Sequence, residues 1–361
     1  LREHVGRMGS SPFEPIRFDI DLDAECGMSF SAVHGVRAAA CTALEEKILA
    51  GYQAREKSTA PLSRRAAENE RTAAAKAASL LLSDRASAQA RAKDAEICAL
   101  VTSPEQARIA EAAGASRLYA SADALNQGVW PDDMLARVVP WLDEVCREAD
   151  HLRLDLWIRT GAPVAVGNIS ELACALDCHA MAEIRECIPL HNDYAVSALV
   201  NSGACGVWLN SELTLTEIAH IAENASVPVG YLVSGRIRTM TSEHCVLMTT
   251  GKCIHDCDTC KLRQELHYLR GIDNDYLPVT TDTQGRSRIW APQPFDAVPE
   301  LDVLLAHGVT RLMVDATLLT KEQTKRAVAR VASAVAAVKQ ERALPGRLEG
   351  ATQGHLFSPI G

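Results

Sequence analysis

Short apolar runs recur along the chain after Lys93, each bounded by polar or turn-forming residues. Runs at Glu96–Val101 (EICALV), 118–120, 152–158, 164–166, 187–190, 206–209, 227–233 and 311–314 read as buried strands. Most are followed by a segment with the 3.6-residue period of a helix packed on one face, at 171–182, 195–202, Leu215–Asn224 and 321–338. Ser103-Pro104-Glu105 signals a helix start with proline at the first helical position, and Gly114 signals a stop. Buried strands alternating with helices predict a parallel sheet with helices outside it. Eight of them predict an α/β fold of the (β/α)8 TIM-like barrel type. Only 159–163 separate the third strand from the fourth, too little for a crossover helix. The barrel is expected to be irregular there, and an open doubly wound sheet is the alternative.

Before Lys93 the pattern changes. Residues 15–23 (PIRFDIDLD) alternate apolar and polar, the period of a half-exposed strand. From Ser31 to Arg91 the chain is rich in Ala, Arg and Glu, with Val33, Val36, Ala40, Leu44 and Ile48 at helical spacing. Between Tyr52 and Lys93 large apolar residues are scarce, which predicts an exposed helix or a linker. The expected organisation is a small α+β and helical segment over 1–93, the barrel over 94–340 with a cysteine loop at 235–263, and a flexible tail over 341–361. The chain opens on Leu1, not Met, and is expected to be a piece of a longer protein.

In a parallel barrel, function sits where strands end at their C-terminal edge. The expected ends carry Asn168 after the fourth strand, His191-Asn192-Asp193 after the fifth, Asn210-Ser211-Glu212 after the sixth, Ser234-Gly235-Arg236 after the seventh and Asp315 after the eighth. Such residues also cap helices, the plainer role for Ser211 or Asp193 taken singly. Their recurrence at five successive ends points to a site. Arg236 stands out, because a fixed guanidinium after an apolar strand can grip a carboxylate or phosphate at two points.

Charge and cysteine content narrow the chemistry. A net charge of −9 argues against nucleic-acid binding by bulk electrostatics and leaves room for a local basic groove. No apolar run approaches the roughly 20 residues that span a bilayer, and no secretory signal is evident, so a cytoplasmic protein without membrane partners is expected. Of the 12 cysteines, Cys26, Cys41, Cys98, Cys146, Cys174, Cys178, Cys187 and Cys205 are scattered and read as small buried hydrophobes. The rest, Cys245, Cys253, Cys257 and Cys260, fall close together with spacing C-x7-C-x3-C-x2-C in the loop after the seventh strand. Thiolates so spaced can converge on tetrahedral zinc or on a cubane iron–sulfur (4Fe–4S) cluster. The paired CxxC motifs of zinc ribbons are missing, which favours the cluster. His244 and His255 could replace a thiolate, although His255 reads more simply as a solvated loop residue. The chain has neither a His-Glu-x-x-His zinc motif nor a Gly-x-Ser-x-Gly elbow, so its chemistry favours redox or hydroxyl transfer over hydrolysis.

The run Ser234-Gly235-Arg236 through Met240, Ser242, Glu243, His244 and Cys245 resembles the signature region of the collagenase-like peptidases, family thirty-two among peptidases of unknown catalytic type. Asn192-Asp193-Tyr194 with Asn201, Leu209 to Leu213, Tyr276-Leu277-Pro278-Val279, and Gly308-Val309 with Arg311, Leu312 and Asp315 resemble further segments of that family in order and spacing. Ser31 to Ala50 is similar to the helix leading from the collagenase-like insert of long members into their second barrel-like part. The resemblance implies the C-terminal portion of a long member, with the missing N-terminal half as a partner. It implies either a peptidase (a hydrolase or protease acting on peptide) or an oxygen-independent hydroxylase acting on RNA with a four-cysteine iron–sulfur cluster. In long relatives a ligand cysteine follows the Leu-Pro-Val strand, whereas here Gln284-Gly285-Arg286-Ser287-Arg288 has none, and Cys253 is the candidate for the fourth ligand. A noncatalytic barrel half with structural zinc is a further alternative. The candidate residues are thus Arg236, Glu212, Asp193 and His244 for catalysis, and Asn168, Asn192, Asn210 and Asp315 for substrate binding. Cys245, Cys253, Cys257 and Cys260 are the candidates for the metal centre.

Overall fold

Eight parallel strands close into a ring. The computed structural model describes residues 2–8, 11–21, 23, 26–58, 85–272 and 274–358, in two units, 1–69 and 70–361. The ring lies in the second unit. It begins with β1 (Glu96–Val101), β2 (Arg117–Ser121), β3 (Val138–Trp141), β4 (Pro163–Val166), β5 (Met181–Ile184), β6 (Gly206–Trp208) and β7 (Val229–Gly235), each paired in parallel with the next. Then β8 (Arg238–Ser242), β9 (His267–Arg270), β10 (Tyr276–Thr281) and β11 (Ser287–Trp290) form a separate antiparallel sheet in the order β8-β11-β10-β9. After β12 (Phe295–Asp296), antiparallel to β7, the strand β13 (Val309–Asp315) pairs in parallel with both β7 and β1 and closes the barrel. The fold is a TIM-like α/β barrel.

Two layers of apolar side chains explain the closure. Inside the ring, Cys98, Tyr119, Val139, Trp141, Ala165, Trp208 and Met313 pack together. The rings of Tyr119, Trp141 and Trp208 meet edge to face with centroids 5.2 to 5.5 Å apart. Beside them the buried Glu183 carboxylate accepts from Arg117, from Tyr119 Oη at 2.9 Å and from Trp208 Nε1 at 3.2 Å, and pairs with Arg311 at 3.1 Å. Alternate residues such as Leu118, Val138, Val164, Ile184 and Leu312 face the helices. The helix at Pro104–Ala112 begins as its sequence predicts, with Ser103 Oγ accepting from Gln106 N and proline in the first turn.

Three predicted strands are corrected. Residues 152–158 form no strand: the helix Glu148–Leu154 runs into a 3-10 turn, Asp155–Trp157, and the third strand is β3 instead. Leu154 is fully buried while Leu152 and Leu156 are 84% and 64% exposed, a helical burial pattern beneath an alternating sequence. The long connection from β3 to β4 removes the irregularity expected at 159–163. The fifth strand lies at Met181–Ile184 and not at 187–190, after a helix spanning Ile169–Asp177. In the first unit, the described part of 15–23 forms no strand; Ile16 is fully exposed there, with no neighbouring strand to pair. That unit instead holds helices Arg2–Gly6 and Phe30–Ser58, joined where His4 stacks on Phe30 and Arg37 donates to the His4 carbonyl at 2.8 Å. The linker expected over 52–93 falls largely outside the described residues. Near the C-terminus Leu356 is fully buried and Thr352 bridges Phe295, so residues 352–356 are laid against the barrel.

Candidate active site at the barrel mouth

A cavity of about 610 Å³ opens at the C-terminal edge of the barrel. Leu100, Trp141, Trp208, Leu232 and Met313 form its apolar floor, and Trp290 of β11 with Ile237 and residues 238–241 of β8 form one wall. The size suits a small molecule or one ring system of a larger one. Its polar rim comes from strand ends. Glu144 follows β3, Glu186 and Cys187 follow β5, Asn210 to Glu212 follow β6, Arg236 follows β7, Asp315 ends β13, and His355 comes from the C-terminal segment.

Most of the charge at this rim is paired. The Glu144 carboxylate meets Arg185 at 3.4 Å, Arg238 at 3.2 Å and Arg288 at 3.2 Å and accepts from Thr241 Oγ1, and despite burial these cations hold it well below the usual carboxylate range. Glu186 pairs with Arg185 at 3.0 Å and Arg238 at 3.1 Å; burial works against its charge, but the arginines win and lower it. Asp315 behaves oppositely, because burial raises its carboxyl although Thr317 N donates to it at 2.8 Å. Gly235 is needed beside it: φ is +148°, and a Cβ there would lie 2.9 Å from the Asp315 carbonyl oxygen. Arg236 is set apart from this network. It donates through Nη1 to the carbonyls of Ala291, at 2.8 Å, and Pro292, and among the described residues it pairs with no carboxylate.

The cysteine segment joins β8 to β9 on the same side. Cys245, Cys253, Cys257 and Cys260, all half-buried free thiols, line one hollow of about 270 Å³ with His244, His255 and Arg263. Burial raises the Cys257 thiol, and the other three cysteines, close enough to act on it, push the same way. Arg263 clamps the segment by donating to the carbonyl of Cys257 and, at 3.2 Å, to that of Asp258, and Val246 N donates to buried Ser287 Oγ at 3.0 Å. Gly285, at φ +75°, backs the hollow so closely that a Cβ would stand 3.2 Å from Cys257 Sγ. Among the described residues, no three His, Cys, Asp or Glu side chains are disposed to hold one metal ion.

The sequence model of Peptidase family U32 matches residues 145–353. That span is more than half of the chain and takes in β4 to β13, the cysteine hollow and most of the residues that line the barrel-mouth cavity. The chain belongs to Peptidase family U32. No curated protein matches it. Among solved structures, a thiamine phosphate pyrophosphorylase from Pyrococcus furiosus is similar at 11% identity and a TM-score of 0.35, covering 68% of this chain and 98% of that one. An xylose isomerase-like TIM barrel/4-hydroxyphenylpyruvate dioxygenase fusion protein is similar at 12% identity and a TM-score of 0.29, covering 73% of this chain and 46%, under half, of that one.

The residues expected to form the site of this U32 chain fall into three groups. Arg236, Glu212, Asn210 and Asp315 line the barrel-mouth cavity. Asn210 shapes its loop by donating to the Glu186 carbonyl at 3.0 Å and accepting from Glu212 N at 2.8 Å. His244 lines the cysteine hollow. Asn168 and Asn192 cap the helices that follow them, accepting from Glu171 N at 3.0 Å and Ala195 N at 2.9 Å, and Asp193 lies 3.7 Å from His220; none of these three lines either cavity. Glu144, Glu186 and Arg238 line the cavity and were missed, the first two because their strands were placed wrongly. Their only signal in the sequence was an acidic residue shortly after an apolar run.

Proposed function

We propose that this U32 chain is an enzyme that hydroxylates RNA without oxygen at the barrel mouth, using an iron–sulfur cluster held by Cys245, Cys253, Cys257 and Cys260. The observation that carries the reading is the gathering of four thiols around one hollow, on the sheet whose β8 also walls the substrate cavity. A zinc ion bound at about 2.3 Å would draw sulfurs to within about 3.8 Å of one another. The hollow that the four thiols line, about 270 Å³, has room for a group larger than a single ion. Bound there, a cluster would supply electron transfer; turning C–H into C–OH without O2 withdraws two electrons in all, with the oxygen taken from water or an organic hydroxyl donor and the electrons passed to an external acceptor. The chain's own contribution is positional. Trp141 and Trp208, set edge to face, offer an apolar floor, Arg236 a fixed cation, and Asp315 a carboxyl that burial raises. RNA as substrate follows from the family resemblance.

Peptide hydrolysis is the second reading, and one arrangement speaks for it. Cys146 Sγ lies 3.6 Å from His151 Nε2, and His151 Nδ1 lies 3.0 Å from Asp155 Oδ1, the order of a nucleophile, base and orienting acid. Burial and nearby carboxylates push the Cys146 thiol up to about 11, so thiolate is scarce at neutral pH, and the group lines neither cavity.

Anaerobic purification with iron, sulfide and zinc analysis separates the readings. About four iron and four sulfide per chain, with a visible band that bleaches on reduction, is expected, together with a hydroxylated nucleoside missing from RNA of a deletion strain. A colourless protein with one zinc, or gelatin cleavage abolished by Cys146→Ala, would overturn the hydroxylase.

A further inference from the structure

Among the described residues, one cation at the barrel-mouth cavity has no acidic partner. Arg185, Arg238 and Arg288 are each matched by Glu144, Glu186, Asp143 or Asp282 at 2.9 to 3.4 Å. Arg236 is the exception. Its Nη1 is spent on two backbone carbonyls that fix the plane of the guanidinium, and no hydrogen bond is made by Nε or Nη2 among the described residues. Burial disfavours its charge, and the nearby group that opposes this effect is the phenol of Tyr268. Of the remaining acids of the cavity, Glu212 is exposed at the rim and Asp315 accepts from Thr317 N at 2.8 Å, and among the described residues neither pairs with Arg236. A half-buried cation that no carboxylate matches is well placed to take its counter-charge from a ligand. The same cavity has Trp141, Trp208, Leu232, Met313 and Trp290 among its apolar lining.

We propose that this cavity binds a planar ring bearing a carboxylate or phosphate, with Arg236 gripping the anion through its two free donor positions and the ring lying against the tryptophans. The inference rests on the barrel mouth being the reacting site, and it is independent of what the cysteines hold. Its chemistry is a fork-shaped donor meeting a planar or tetrahedral oxyanion, a two-point contact that an ammonium cannot reproduce.

Binding can be read from intrinsic fluorescence, because Trp141, Trp208 and Trp290 line the cavity, and checked by calorimetry on the protein as purified. Benzoate and phenyl phosphate are expected to bind, and the tighter of the two identifies a carboxylate or a phosphate ester as the natural group. Benzyl alcohol, which lacks the charge, and acetate or inorganic phosphate, which lack the ring, are expected to bind at least about 10-fold more weakly. Arg236→Ala should weaken the charged rings by about 10- to 100-fold and leave benzyl alcohol unchanged. Arg236→Gln keeps an amide donor for the Ala291 and Pro292 carbonyls and removes the charge, so it decides the matter if the alanine variant misfolds. Unaltered affinity for both charged rings in Arg236→Gln, equal binding of benzyl alcohol, or no binding of either charged ring would overturn the proposal. Metal analysis can fail while this binding survives, so the two readings are separable.

Discussion

At the scale of single residues, burial decides which ionisable groups keep their charge. Glu144 and Glu171 are both acids packed under the barrel mouth, yet they diverge because of their partners. Glu144 is surrounded by Arg185, Arg238 and Arg288 and stays ionised. Glu171 is fully buried and accepts from Gly167 N at 3.2 Å; burial, aided by Asp143 and opposed by the Gly167 N–H, Arg185 and Asn168, pushes it up to about 8. The native state therefore keeps a proton that the unfolded chain releases near the ordinary value of 4.5. Stability from this group is full below that pH and falls as pH rises towards 8, by at most about 1.4 kcal/mol per pH unit. Glu171→Gln, nearly isosteric with the protonated acid, should lack this slope. Urea melts at several pH values between 5 and 8 should show the variant gaining on the parent as pH rises, and a constant difference would contradict the assignment.

At the scale of elements, the sequence was legible where a strand's centre is apolar and free of proline and buried acid. β1, β6, β7 and β13 announce themselves, as does the helix Leu215–Asn224, whose Thr214 cap and Glu217 reciprocate. β3 and β5 were not legible. The first is four residues long with Pro140 inside it, and the second carries Glu183, whose buried charge is tolerable only through partners on distant strands. Missing those two strands meant missing Glu144 and Glu186. The antiparallel sheet was equally hidden, because its seating depends on ion pairs far apart in sequence. Arg286 is buried and pairs with Asp150, which also meets Arg153 at 3.2 Å. It anchors the sheet that bears the cysteines to the β3–β4 connection. Removing one partner of such a pair leaves a buried charge, at a cost of about 3–5 kcal/mol. Arg286→Met should therefore raise hydrogen exchange in β8, β10 and β11 more than in β1 or β13. It should also increase alkylation of the four loop cysteines in metal-free protein. Uniform exchange changes across both sheets would show that the pair does not hold the sheet in place.

At the scale of the whole molecule, both cavities depend on one barrel staying closed, and its interior is held partly by charge. Glu183 on β5 joins Arg117 and Tyr119 on β2, Trp208 on β6 and Arg311 on β13, while Arg311 also meets Glu96 on β1 at 2.7 Å. A single carboxylate thus links strands from across the ring, and its bond to Trp208 Nε1 fixes part of the floor on which a substrate ring would lie. Glu183→Ala removes four acceptor contacts at once and leaves two buried guanidiniums short of counter-charge. A loss of about 3–5 kcal/mol is expected, and because the network spans the barrel the loss should be global. For a barrel of this size that amounts to a fall in Tm of roughly 10 °C, at about 2–4 °C for each kcal/mol. The bare floor also predicts weaker binding of phenyl phosphate at temperatures where the variant is still folded, since the indole loses its hydrogen-bonded orientation. Calorimetric melting with near-UV circular dichroism checks both outcomes. A change in melting confined to one part of the transition, or tryptophan signals identical to the parent, would mean that apolar packing closes the barrel without the help of Glu183.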